Sequence, residues 1–415
     1  MSEHYDALEV RPPAVREAAL MAALPAQIAH AQTCSPAFAQ ILEGVEAHLV
    51  HDRAALAQLP VTRKSALLAQ QQALRSSTPL GGFNTQPFGP QMPRIFSSPG
   101  GIYEPEGARA DYWRMARALY AAGFRAGELV HNSFSYHFVP AGSMMESGAQ
   151  AIGCTVFPGG TGQTEQQVQT MAELRPAGYL GTPSFLKLIV EKAQALNIPI
   201  RSVRKALVSG EAMPPSLREW LHTHGIAAYQ CYATADLGLI AYETSAREGL
   251  VVDEQVIVEI VRPGTGEPVP DGEVGELVVT SLNPDYPLIR FGTGDLSAIL
   301  PGQCPTGRTN QRIQGWMGRA DQTTKVRGMF VHPSQVSEVI QRFPQAGKAR
   351  LVVSGAMASD RMTLLVESTE TSPGFAQRIS DVVREITKLR ADIQLVAPGS
   401  LPNDGCVIED ARSYA

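Results

Sequence analysis

The chain has 415 residues, of which 44% are hydrophobic and 18% charged, and its formal net charge is -5. That length exceeds what one hydrophobic core usually serves, so two or more domains are expected. The weak negative charge, with basic residues single or in short pairs, excludes a nucleic-acid surface, which needs a Lys/Arg stripe with aromatics between. Five scattered cysteines (Cys34, Cys154, Cys231, Cys304 and Cys406) without a C-x-x-C pair read as free thiols in a reducing compartment. No basic-then-apolar leader opens the chain, and no uncharged apolar stretch approaches the roughly 18 residues of a membrane span. A cytoplasmic location and no membrane partner are therefore expected.

In chain order, residues 1 to 90 read as helices. AVREAALMAALPAQIAHAQ and ALAQLPVTRKSALLAQQQAL carry apolar residues at three and four spacing, the second with Thr62 as an N-cap signal. This helical N-terminus is a candidate homodimer interface. A Gly/Pro connection, TPLGGFNTQPFGPQMP, follows. From RIFSS to AAYQCY, strands and helices alternate with short connections, which argues for a sheet with helices on both faces. Between Val251 and Leu300 the strands VVDEQVIVEIV, GELVVTSL and LSAIL come without helices and predict a β-rich subdomain. Beyond position 318 the order helix, strand, strand, long amphipathic helix, strand predicts a compact lid. The expected fold class is α/β: a large N-terminal domain (1–318) of mixed sheets with flanking helices plus the β-rich subdomain, and a small C-terminal α+β domain (319–415).

YPLIRFGTGDL (Tyr286 to Leu296) and GRADQTTKVRGMFVHPSQV (Gly318 to Val336) carry the most information. Asp295 follows the small residues Thr293 and Gly294, where backbone can approach a ligand, and a fixed carboxylate there can accept from two vicinal hydroxyls. Both segments resemble the adenylate-forming superfamily of acyl-CoA and aryl-CoA ligases, and VHPSQV is most similar to its phenylacetate-CoA ligase branch. The resemblance runs through nearly the whole chain from Arg94 onward and covers the first ninety residues only loosely.

What the resemblance implies is ATP-dependent activation of a small-molecule carboxylic acid, aromatic by the branch, to an acyl-adenylate, and transfer to coenzyme A. ATP or AMP, Mg²⁺ and coenzyme A are the implied cofactors. Asp295 and Arg319 would hold the ribose, and Asp321 would be the hinge. Lys325 to Gly328 would form the turn presented to the thiol channel in the second step. Ser209, Gly210 and Glu211 resemble the adenine-contacting turn; they also read as an ordinary β-to-α connection. YATADLG places Tyr232 beside the nucleotide and Asp236 on Mg²⁺, with Asp236 where the family has glutamate. The other reading of Asp236 is an aspartate at a helix N-terminus.

Two segments depart from the family. In SSPGGIYEPEG, residues Ser97, Ser98, Gly100 and Gly101 can form an anion-binding turn, yet Pro99 removes an amide and Glu104 and Glu106 are expected to add repulsion. The same stretch also reads as a plain loop. In LPNDGCVIEDAR, Cys406 stands where the family has a catalytic lysine, whose ammonium offsets charge growing in the transition state. A natural loss, an introduced substitution and replacement by another lysine all remain open. Tyr136, His137 and Phe138 are the expected aromatic wall of the acyl pocket, with placement in the core as the alternative. A degenerate nucleotide-binding protein with impaired adenylation, and delivery of the acyl group to another thiol or an amine, stand as alternatives.

Overall fold

The structure, a computed structural model, describes residues 3–98, 100–317, 320, 322, 324–331, 333–355, 360–402 and 406–412. The chain divides into two compact units, Met1–Met317 and Gly318–Ala415.

The backbone of the first unit is a nine-stranded sheet. Its order is Ile299–Leu300, Arg312–Ile313, Leu250–Val252, Gly238–Tyr242, Ala227–Thr234, Lys205–Val208, Gly178–Gly181, Leu129–Asn132, Thr155–Pro158. The last five run parallel, because each is joined to the next through a helix such as Thr164–Leu174, Pro183–Ala195 or Pro215–Thr223. Val130, Tyr179, Leu180, Ala206 and Leu207 are buried on these strands, as expected where both faces are covered. From Ala227–Thr234 onward the neighbours are antiparallel, and a two-stranded hairpin, Arg94–Ser98 with Ile102–Glu106, stands apart.

A second sheet of four strands runs Thr62–Arg63, Phe291–Ser297, Gly275–Ser281, Val256–Val261. VVDEQVIVEIV is therefore two strands in two sheets. Leu250–Val252 joins the large sheet and Val256–Val261 the small one, with Asp253 and Glu254 between them. Both acids are buried against arginines: Arg114 Nε donates to Asp253 at 2.8 Å, and Arg16 Nε to Glu254 at 2.8 Å. Buried charges persist only when paired in this way, and their fixed contacts turn the chain.

The N-terminal helices are Pro13–Cys34, Pro36–Ile41, Arg53–Ala57 and Lys64–Ala73. Thr62 is not a cap. It lies in the short strand parallel to Phe291 and Gly292, and its hydroxyl donates to Ile289 O at 3.0 Å. The one expected helix is broken at Pro60, a residue that continues neither helix nor ladder. Arg290 clamps this junction. Fully buried, it donates to both oxygens of Glu259 and to the carbonyls of Ala57, Leu59 and Gly266. The start of the helix Lys64–Ala73 is thereby fixed beside the strand that carries Asp295.

The second unit pairs Asp392–Val396, Arg361–Ser368, Ala346–Ser354 and Ile408–Asp410 in one sheet, with the helices Pro333–Gln341 and Pro373–Thr387 and a hairpin, Thr324–Val326 with Met329–Val331. Phe375, Ile379 and Val383 recur at four-residue spacing and are buried with Leu351, Val353, Leu364 and Val366, which gives this unit a core of its own. Among the described residues, no helix is long and apolar enough to cross a membrane.

Candidate functional site

The candidate site forms at the C-terminal ends of the parallel strands, where open α/β sheets ordinarily bind ligands. Ala227–Thr234 turns back through Ala235–Leu237 into Gly238–Tyr242, and this tight turn carries Asp236. The setting is a β-hairpin, not a helix N-terminus. Gly238 has φ +72, and a Cβ there would sit 2.8 Å from Trp113 O, so only glycine lets the turn close against that backbone.

Asp236 is 6% exposed. Its Oδ2 accepts from Lys64 Nζ at 2.8 Å, a contact between residues 172 positions apart. Beside it lies Glu104, buried on the hairpin Arg94–Ser98/Ile102–Glu106. Burial, and then the Asp236 charge, push the Glu104 carboxyl well above its ordinary range. The same two causes oppose ionisation of Glu104 beside Asp236 and so weaken the repulsion expected at this position. Glu106 is paired, accepting from Arg94 Nη2 at 2.6 Å.

Asp295 is half-buried on Phe291–Ser297. Tyr232 Oη donates to its Oδ2 at 2.6 Å, and Trp316 Nε1 donates to its Oδ1 at 3.1 Å. Gly294, at φ +72, supplies the left-handed turn just before it. Because Tyr232 and Asp236 share one hairpin of the large sheet, while Asp295 and Lys64 belong to the four-stranded sheet and the helix that follows its short strand, the Tyr232–Asp295 and Lys64–Asp236 contacts join the same two sheets.

The other expected residues fall in several places. Ser209 Oγ donates to Cys231 O at 2.9 Å, Gly210 turns at φ +81, and Glu211 accepts from Ser184 Oγ at 2.5 Å, all at the end of Lys205–Val208. Ser97 and Ser98 end one strand of the two-stranded hairpin, and Gly100 and Gly101 form its turn at φ +102 and +80. Two amides of this segment are already used, Ser97 N on Phe138 O at 2.7 Å and Gly101 N on Ser98 O at 3.0 Å. Pro99 lies outside the described residues.

Tyr136, His137 and Phe138 do not form one packed wall. Tyr136 Oη donates to Glu146 Oε2 at 2.6 Å and accepts from Asn132 Nδ2 at 2.8 Å, whereas His137 is exposed and Phe138 is 82% exposed at φ +62. Successive side chains in this irregular segment point in different directions. Arg319 and Asp321 lie outside the described residues.

In the second unit, Lys325 stands in a hairpin strand, and Arg327 and Gly328 turn it at φ +48 and +84. Cys406 is half-buried, its Sγ donating to Ile408 O at 3.4 Å. Gln322 Oε1 accepts from Val407 N at 2.7 Å and so anchors the residue after it.

Lys64, Glu104 and Trp316 were not expected among the site residues. Lys64 sits in an ordinary amphipathic stretch, and no spacing in the sequence marks it.

Mg²⁺ is the one implied metal. Asp236 Oδ1, both Glu104 oxygens and Ser98 Oγ are buried and close enough to one another to interact. A cluster of buried oxygens of this kind is the donor type a hard cation takes, so these residues fit one. Among the described residues no three His, Cys, Asp or Glu side chains converge on a metal position.

Comparison with known proteins gives a consistent picture. Residues 110–283 match the AMP-binding enzyme family and residues 328–406 the AMP-binding enzyme C-terminal domain. A phenylacetate-coenzyme A ligase from Thermus thermophilus is 31% identical over 68% of this chain and 65% of its own length, just under two thirds. One from Aromatoleum evansii is 30% identical over 78% of this chain and 75% of its own. The crystal structure of a 2-hydroxyisobutyryl-CoA ligase in complex with 2-HIB-AMP and CoA superposes with a TM-score of 0.84 at 25% identity, over 100% of this chain and 93% of that one.

Proposed function

Since the chain belongs to the AMP-binding, adenylate-forming enzyme family in its phenylacetate-CoA ligase-like branch, we propose that it activates an aromatic carboxylic acid with ATP and transfers the acyl group to coenzyme A. The observation that carries this reading is the pair of contacts, Tyr232–Asp295 and Lys64–Asp236, at the strand ends. One suits a sugar diol and the other a phosphate.

In this reading Asp295, oriented by Tyr232, accepts from the ribose hydroxyls, with Arg319 on the same sugar. The turn Ser209 to Glu211 lies against the adenine. Lys64 directs positive charge at the phosphates, where the acid's carboxylate oxygen attacks the α-phosphorus and the bond to pyrophosphate breaks. A fixed cation at that point stabilises negative charge developing on the phosphoryl oxygens, and it needs no reorganisation during the reaction. Mg²⁺, held by Asp236 with the Glu104 and Ser98 oxygens, would supply further charge neutralisation there. In the second step the thiolate sulfur of coenzyme A attacks the acyl carbon and AMP departs. Asp321 serves as the hinge, and Lys325 to Gly328 face the thiol.

Cys406 favours a second reading, a nucleotide or acyl-adenylate binder with impaired adenylation, because a neutral thiol supplies no charge. Lys64 weighs against it, as a lysine supplied from a different segment. Acid-dependent pyrophosphate exchange and coenzyme A-dependent thioester formation, run with phenylacetate, benzoate and 2-hydroxyisobutyrate, test the two. The proposal expects turnover with an aryl acid. Turnover with 2-hydroxyisobutyrate alone would overturn the aromatic assignment, and thermal stabilisation by AMP without turnover of any acid would favour the binder.

A further inference from the structure

We infer that Trp316 is a positioning residue of the ribose site, orienting Asp295 so that nucleotides carrying a complete vicinal diol are preferred. The inference rests on the proposed reading of Asp295 as the ribose carboxylate.

Trp316 is held by backbone. Gln314 N donates to Ala298 O at 2.9 Å, Met317 N donates to Leu296 O at 2.9 Å, and Ser297 Oγ donates to Gly315 O at 2.7 Å. Residues 314–317 thus run alongside 296–298, and Gly315, at φ +104, supplies a backbone conformation that a side chain would strain. The indole N–H meets Asp295 Oδ1 at 3.1 Å while Tyr232 meets Oδ2 at 2.6 Å, one neutral donor on each oxygen.

That arrangement has a chemical consequence. A carboxylate held at one oxygen can still swing about its terminal torsion, which is broad for aspartate; a donor on each oxygen fixes the plane. An ionised carboxylate has about four acceptor positions, so a donor on each oxygen orients it without using them all. Bonds from sugar hydroxyls to such an acceptor are charge-assisted. Trp316 is 40% exposed, so it is reachable from solvent.

The test uses the full chain and AMP, 2′-deoxyAMP and ATP as probes. Trp316→Phe keeps the ring and removes the N–H. The expected result is AMP affinity weakened about five- to tenfold, as for loss of a hydrogen bond to a charged group. The KM for ATP should rise with little change in kcat, and the preference for AMP over 2′-deoxyAMP should shrink, because a diol profits most from a fixed carboxylate plane. Unchanged AMP affinity, or equal weakening of both nucleotides, overturns the inference.

A second measurement does not depend on that variant folding. In Trp220→Phe protein the remaining indoles are Trp316 and the buried Trp113. AMP is expected to shift the indole emission, and no shift at AMP concentrations that saturate calorimetric binding overturns the inference. Asp295→Asn separates the two levels. If the unaltered chain binds AMP and Asp295→Asn does not, while Trp316→Phe matches the unaltered chain, only the role of Trp316 fails. If the unaltered chain binds neither AMP nor ATP, the proposed function fails with it.

Discussion

The two ends of the candidate site solve opposite electrostatic problems. At the proposed phosphate end, Asp236 is almost wholly removed from water and meets an ammonium on one side and the Glu104 carboxyl on the other. At the proposed ribose end, Asp295 is half-buried, and a phenol and an indole are among its partners. A buried carboxylate without a cation is costly, so the Lys64 ammonium is part of what holds Asp236 in place; a half-solvated carboxylate retains access to water and to a ligand. The contrast matches what each end would bind, charged phosphates in one case and uncharged hydroxyls in the other.

The largest effect is expected at the phosphate end. Lys64→Met should lower acid-dependent pyrophosphate exchange about 100-fold and lower the melting temperature, because Asp236 is left buried and unpaired. Adding Asp236→Asn should restore the melting temperature but not the exchange, a non-additivity that a double-mutant cycle reads directly. If both single variants leave exchange intact, the two ends do not differ in the way described.

Cys406→Lys is expected to raise pyrophosphate exchange about tenfold or more while leaving thioester formation from preformed acyl-adenylate unchanged. No gain would mean that Lys64 already meets the charge requirement.

Asp111 sharpens the comparison as a carboxyl held mainly by backbone. Its Oδ2 accepts from Ala116 N at 3.0 Å, and burial raises its pKa to about 7 from an ordinary value of 3.8. A group whose folded pKa is raised binds more protons in the native state, so its contribution to stability falls as pH rises between those two values. Asp111→Asn should remove that slope. Relative to the unaltered chain, it should gain on the order of 3 kcal/mol in denaturant unfolding between about pH 4 and pH 7. The smallest effect is expected for Glu104→Gln. Burial raises the pKa of this acid, so an amide is a close substitute and melting temperature at neutral pH should move by no more than about 2 °C. A larger loss would show that Glu104 is ionised.

The alternation of strands and helices along the chain anticipates the large sheet. Asp295, Tyr232 and Asp236 were singled out through motifs that resemble the family's, and the structure brings Tyr232 onto Asp295 and seats Asp236 in the same hairpin. Lys64 was not legible, because a single lysine in an amphipathic helix has the same local pattern whether it faces solvent or a carboxylate 172 positions away. The burial of Glu104 beside Asp236, which raises its carboxyl pKa, was not legible for the same reason. The expected Thr62 cap failed because the helix starts only at Lys64, and Thr62 lies in a short strand against Phe291.

The sequence by itself determined most of the element order and the family resemblance, since these depend on residue type and local periodicity. Tertiary structure alone decided that Lys64 meets Asp236, that Tyr232 and Trp316 meet Asp295, and that Glu104 is buried with its carboxyl pKa raised. Those states depend on groups a few ångströms away, and here sheet pairing and the Arg290 clamp bring such groups together across tens to hundreds of residues.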